Sequence, residues 1–231
     1  MIYITGDTHG EFSRIARFCD KMHTTSDDIL IILGDAGINY FGHDSDYVCK
    51  KEIAKLPITL FCIHGNHEQR PEHIKGYHET SWHGGKVYME DDFPTLLFAK
   101  DGEFYDIAGA RTIVIGGAYS VDKYYRLMRN WGWWPDEQPS EEIKAYVEQQ
   151  LEHCNWTVEM VLSHTVPVKY EPTEVFLQGL DQSTVDKSTE IWLGEIEKKL
   201  SYRKWYAGHY HTEKCVDKLE IMFTNYACLG E

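Results

Sequence analysis

At 231 residues with 42% hydrophobic side chains, the chain is long enough to bury a sizeable core and predicts a single domain over residues 1–231. Its 37 acidic against 23 basic residues leave a formal net charge of −14, which argues against a broad basic surface for nucleic acid or anionic lipid. No stretch is patterned as a signal peptide or apolar for long enough to span a bilayer, and the six cysteines form no C-x-x-C pair. The expectation is a cytoplasmic protein with reduced thiols and no membrane partner.

The chain opens on the apolar run Ile2 to Thr5, which leads into Gly6-Asp7-Thr8-His9. Phe12, Ile15, Ala16, Cys19 and Met22 then fall at helical spacing, predicting a helix over 11–21. Strands are predicted at 29–33 and 58–63 with a helix at 46–56 between them. This β-α-β-α-β order calls for a parallel sheet with right-handed crossovers. The middle of the chain differs: short strands at 86–89, 95–99, 103–107 and 112–115, joined by Asp-Asp, Asp-Gly and Ala-Gly-Ala turns, predict a mixed or antiparallel sheet built on hairpins. Ser140 can cap a helix running to about 153, with Glu141 and Glu142 in its first turn. A strand at 158–162, a helix at 189–200, a strand at 204–207 and two C-terminal strands at 214–216 and 219–223 complete the order. The sum is an α/β fold of two stacked sheets flanked by helices.

Five of the apolar runs end on Asp, Asn or His: Asp7 with His9, Asp35, Asn66 with His67, His164, and His209 with His211. Ligands of open α/β sheets gather outside the carboxyl ends of the strands. Residues i and i+2 of an extended segment point the same way, so Asp7 with His9, and His209 with His211, can each address one ion, while Asn66 and His67 diverge. Carboxylate, amide and imidazole donors suit Mn, Fe, Zn, Co or Ni. Two aspartates facing two dications leave about two positive charges by simple counting, which attracts a phosphate oxyanion even on an acidic protein. Two such ions also generate hydroxide near neutral pH and clamp attacking and leaving oxygens.

Asp7-Thr8-His9, Gly34-Asp35, Gly65-Asn66-His67-Glu68, His164 and Gly208-His209-Tyr210-His211 resemble, in order, the motif set of calcineurin-like metallophosphoesterases. That resemblance implies a four-layer αββα sandwich of two mixed β-sheets holding two divalent or trivalent metal ions bridged by Asp35. Asp7, His9 and His211 would complete one ion's ligands, and Asn66, His164 and His209 the other's. His67 matches the family's catalytic histidine, which binds the phosphate and protonates or stabilises the leaving oxygen during in-line attack by a metal-bridging hydroxide. Two positions depart from the pattern: Ile38 stands where many members carry the Asp that orients this histidine, and Asn39 where serine/threonine phosphatases carry a phosphate-binding Arg. Asp44, Asp46 or Glu68 is left to orient His67.

His83-Gly84-Gly85 offers an alternative metal histidine, but it follows no apolar strand, and His164 fits better. The segment 116–134 mixes basic and aromatic residues. It reads either as a substrate wall, with Lys123, Arg126 or Arg129 meeting a phosphate, or as an aromatic minicore; the stretch from Gln178 to Lys187 is similar in kind. The expected activity is hydrolysis of phosphomonoesters, on a phosphorylated small molecule or phosphopeptide. The alternatives are a phosphodiesterase or nuclease on the same metals, with nucleic acid not favoured, and a non-catalytic module with this fold.

Overall fold

The computed structural model of the protein describes residues 1–176, 179 and 181–230, so Gln178 lies outside the described residues. Strands β1 (Ile2–Thr5), β2 (Ile29–Ile32) and β3 (Thr59–Cys62) pair in parallel and in step, so that Thr5, Ile32 and Cys62 end side by side. Their apolar runs are continuous because both faces are covered. Helix α1 (Phe12–Met22) lays Ile15, Phe18 and Cys19 on one face and closes at His23, in the left-handed region at φ 54, whose N–H donates to the Cys19 carbonyl. Helix α2 (His43–Ile53) starts one turn earlier than the periodicity predicts, because the Asp46 carboxylate takes the N–H groups of Phe41 and Gly42 at 2.8 and 2.7 Å.

The short strands of the middle do not form one sheet. β4 (His78–Trp82), β5 (Gly85–Met89) and β6 (Leu96–Ala99) extend the first sheet, β6 joining β3 in parallel. β7 (Phe104–Ile107) and β8 (Ala110–Ile115) instead open the second sheet. Lys100 to Glu103, with Gly102 at φ 83, carries the chain between the two.

Helix α3 (Lys123–Met128) follows, then α4 (Glu141–His153), capped as expected by Ser140, whose Oγ accepts the Ile143 N–H at 3.3 Å. β9 (Met160–Ser163), α5 (Ser188–Lys199), β10 (Lys204–Ala207), β11 (Lys214–Val216), β12 (Leu219–Ile221) and β13 (Tyr226–Leu229) complete the chain. The sheets run β13-β1-β2-β3-β6-β5-β4 and β11-β12-β10-β9-β8-β7. In the second, β8, β9 and β10 are parallel, with Ile115, Ser163 and Ala207 in step.

Ile4, Phe61, Leu97, Tyr105 and Leu162 fill the space between the sheets. One outer core packs α1 and Ile53 of α2 against the first sheet; the other packs Val147 and Leu151 of α4 and Leu193 and Ile196 of α5 around Trp205. The result is the αββα layering. Each sheet brings three parallel strand ends toward the same group of loops.

Candidate metal centre

Asp7 follows β1, and its carbonyl accepts from Arg14 Nη2 at 2.7 Å. The buried Asp7 carboxylate accepts the His209 N–H on Oδ1 at 2.8 Å, and the equally buried Asp35 accepts the His67 N–H on Oδ1 at 2.8 Å. Each aspartate thereby ties its own loop to a loop from another strand. Around them the imidazoles fall into two groups. His9 Nε2 lies 3.8 Å from Asp7 Oδ2 and 3.9 Å from Asp35 Oδ2; His211 Nε2 lies 3.3 Å from Asp7 Oδ2 and 2.8 Å from His9 Nε2. On the other side, His164 Nε2 and His209 Nδ1 stand 2.8 and 3.0 Å from Asn66 Oδ1, with His164 Nε2 3.7 Å from Asp35 Oδ1. Asp7–His9–His211, His9–Asp35–His67 and Asp7–Asp35–His164 each bring their ligand-type atoms within 4.8 Å of one another.

The alternation of extended chain does not produce this convergence. β1 and β10 end before the site, and His9, Asp35, His209 and His211 have φ of 45, 49, 69 and 49°, all in the left-handed region. Such conformations cost about 1–3 kcal/mol each and persist where surrounding structure enforces them. The pairing expected of His209 with His211 fails as a consequence: His209 turns to Asn66 and His211 to Asp7. Asn66 and His67 do diverge, toward His164 and toward His9, whose ring centroid lies 5.2 Å from that of His67. Glycines make room for the packing: a Cβ on Gly34 would lie 2.0 Å from His164 Nδ1, and one on Gly208 would lie 2.3 Å from Asp7 Oδ1.

The donor set fits cations. His164 Nδ1 faces the Leu33 carbonyl at 2.7 Å and must donate to it, so Nε2 is an acceptor whenever the ring carries a single proton. Its neighbour Asn66 Oδ1 is also an acceptor, because Asn66 Nδ2 donates to Ser120 Oγ at 3.0 Å. Two lone pairs 2.8 Å apart in a buried site are unfavourable until a proton or a metal ion lies against both. Asp7 Oδ2 is likewise buried and, among the described residues, accepts no well-formed hydrogen bond. Chelation of metal-loaded protein is therefore expected to lower Tm. Free metal at 100 times Kd stabilises by about 2.7 kcal/mol, or roughly 5–10 °C for a chain of this size. A thermal scan unchanged by EDTA would remove the requirement for cations.

The surrounding charges keep the carboxylates ionised. Burial raises the Asp7 carboxyl, but contact with His211 and the charge of His164 more than offset it, so it lies below the usual range. Asp35 is also lowered: His164, His67 and His9 outweigh its burial. Burial pushes His209 down to about 3, leaving a neutral ring suited to ligation. Burial, reinforced by Asp35, lifts Glu68 to about 8, which suppresses its charge near neutral pH.

Seven residues expected as ligands thus meet in one place, with His67 beside them; the expected phosphate contacts do not. A cavity of about 420 Å³ opens on Asp35, Asn66, His67, His209 and His211, and Lys123, Arg126 and Arg129 are not among its lining residues. Lys123 Nζ rests over Trp133 at 4.2 Å and the exposed Arg129 over Tyr125 at 5.1 Å. Arg126 is 1% exposed, its Nη1 directed at Asn66 O and Ser120 Oγ. The residues considered for orienting His67 are also elsewhere. Asp46 holds the start of α2, Asp44 is exposed, and Glu68 Oε1 accepts the Gly65 N–H. Ile38 is fully buried among Ile15, Leu30 and Cys62 and serves the outer core. His83 bonds the Asp106 carbonyl and borders a hollow with Ile2 and Gly109, beside the start of β1.

Asp122, unexpected from sequence, has Oδ1 3.9 Å from His67 Nε2, and Ser120 fixes the Asn66 amide. Both follow β8, a strand end that joins the five expected from sequence at this site. An apolar run into Gly116-Gly117 is the signal that could have identified it.

No curated protein matches the chain. Among solved structures, the TT1561 protein of Thermus thermophilus superposes with a TM-score of 0.50 at 12% identity, covering 96% of this chain and 87% of that one; it supports the fold alone. A serine/threonine phosphatase from Saccharomyces cerevisiae with similarity to human phosphatase PP5 matches with a TM-score of 0.30 at 14% identity, over 96% of this chain and 66% of that one, and at that score carries no argument. The calcineurin-like phosphoesterase family matches over residues 1–223, and by that match the chain belongs to this family, whose members use a dinuclear metal centre.

Proposed function

We propose that the protein is a metal-dependent hydrolase of phosphate monoesters, with Asp7, His9, Asp35, Asn66, His164, His209 and His211 holding two metal ions and His67 acting on the leaving group. The observation that carries this reading is the pair of facing acceptors, His164 Nε2 and Asn66 Oδ1, set among two ionised aspartates at the floor of a cavity. Bound there, two ions supply Lewis acidity and water activation near neutral pH. Asp35 contacts both groups of imidazoles and is placed to bridge. His67 is 28% exposed at its side chain and lines the cavity, within reach of a leaving oxygen. Burial and Arg126 lower its proton affinity while Asp35 and Asp122 raise it, with a net lowering. Residues 1–231 act as one domain in this reading, since both sheets contribute ligands. Manganese is the metal to load first, and the scattered free cysteines support a cytoplasmic setting.

Asp7 and Asp35 against two dications leave about two positive charges, which favour a monoester dianion over a diester monoanion. One observation favours a diesterase instead: Lys123, Arg126 and Arg129 do not line the cavity, so no phosphate clamp of theirs adds to the ions. Manganese-loaded protein is expected to give a higher kcat/KM on p-nitrophenyl phosphate than on its bis ester. The opposite order would overturn the monoester reading and leave the diesterase.

A further inference from the structure

The cavity that opens on the candidate metal site is also lined by Val121, Val175, Phe176, Val185 and Tyr210, with Glu171, Lys187 and Glu190 among them. The phosphoryl group needs none of these. They form an apolar wall, with the Phe176 and Tyr210 rings stacked at 14° and 6.1 Å, and a charged group set into it.

Glu190, in the first turn of α5, is 4% exposed. Its Oε1 accepts from Thr165 Oγ1 at 2.8 Å, and Thr165 Oγ1 is in turn 3.1 Å from the Tyr210 hydroxyl. This chain fixes the carboxyl plane. The other oxygen, Oε2, is buried and has no hydrogen-bond partner among the described residues. An unpaired buried carboxylate is costly, and burial pushes this one up to about 7. The lysine nearby is already engaged: Lys187 Nζ donates to Glu171 Oε2 at 2.7 Å. With Lys187 held by Glu171, the Glu190 Oε2 is left without a partner among the described residues of the compartment.

We propose that this compartment receives the leaving group of the ester, and that Glu190 Oε2 accepts from an ammonium group carried on it. The substrates would then be phosphate esters of alcohols or phenols with an apolar body and an amine. This rests on the phosphoesterase reading above for the hydrolysis, but not for the binding. A volume of about 420 Å³ accommodates an arylalkylamine beside a phosphate.

The test compares 4-(2-aminoethyl)phenyl phosphate with 4-propylphenyl phosphate, in which a methyl replaces the ammonium, on metal-loaded protein. The phosphate-free pair, tyramine and 4-propylphenol, is titrated in parallel by calorimetry. The amine is expected to be preferred about 10- to 100-fold in both kcat/KM and Kd, the scale of a charged hydrogen bond in a dry site. Glu190→Gln should bring both ratios close to one. Lys187→Gln, which leaves the Glu190 network in place, should enlarge them by removing the competing cation. Equal treatment of each pair by the wild-type protein, or a preference that survives Glu190→Gln, overturns the proposal. Preferential binding of tyramine with hydrolysis of neither ester would keep the ammonium site and remove the phosphoesterase reading.

Discussion

His67→Ala is expected to lower kcat by about 10²–10⁴-fold, the scale of a positioned general acid, while the metal content of the purified protein stays unchanged. The backbone of His67 is held by its N–H bond to Asp35, so removal of the ring leaves the loop anchored. The ring lines the cavity, and Nε2 lies 3.9 Å from Asp122 Oδ1. The geometry makes this a sharp test, because His67 also shares a 4.8 Å cluster with His9 and Asp35. If the ring were a ligand, metal analysis would register a loss of about one ion per chain in His67→Ala, and its role as acid would have to be withdrawn. Asp122→Asn should produce a smaller fall in kcat and move the pH profile, since it alters only the charge beside the imidazole.

Asp35→Asn is expected to do the reverse and impair metal loading itself. Asp35 Oδ2 faces His9, Oδ1 faces His164, and the carboxylate belongs to two of the three candidate ligand clusters. Replacement by an amide removes a full charge and turns donor hydrogens toward groups that must share a cation. Loss of an outer hydrogen-bond partner of a ligand costs 10–100-fold in metal affinity, so loss of the shared carboxylate should exceed about 100-fold. A second readout separates this from misfolding. Asp7 and Asp35 repel in the metal-free protein, the charge of Asp35 raising the Asp7 carboxyl. The contacts of Asp35 with His164, His67 and His9 outweigh that repulsion, so metal-free Asp35→Asn should melt somewhat below the metal-free wild type while still unfolding in one cooperative transition. A variant that binds two ions with unchanged affinity would exclude Asp35 as the bridge.

The architecture was legible in the sequence to the extent that it is local. Ile29 to Leu33 and Ile58 to Ile63 read as strands because a strand covered on both faces is apolar throughout. Ser140 announced α4 because an N-cap needs only its own first turn. β4 left no such signal: His78-Glu79-Thr80-Ser81-Trp82 is a largely exposed edge strand with no buried face to impose alternation. β13 is four half-buried residues that become a strand only by lying beside β1. Which sheet each middle strand joined depended on partners far away in sequence, β6 on β3 and β8 on β9.

The site divides along the same line. Residue type and position after an apolar run marked Asp7, His9, Asp35, Asn66, His67, His164, His209 and His211, because metal-ligating chemistry at strand ends is written in the order of the residues themselves. The sequence also determined the fold class through the period of its apolar positions. The direction of each side chain was decided by the tertiary structure. Left-handed backbone at His9, His209 and His211 replaces strand alternation, and only the meeting of loops from two sheets enforces it. The same packing turned Lys123 and Arg129 onto aromatic rings, brought Asp122 to His67, and left one oxygen of Glu190 without a partner among the described residues. The meetings of Asp122 with His67 and of Glu190 with Thr165 join residues tens of positions apart, set by which strands lie next to one another, and a local pattern of residue types carries no record of that order.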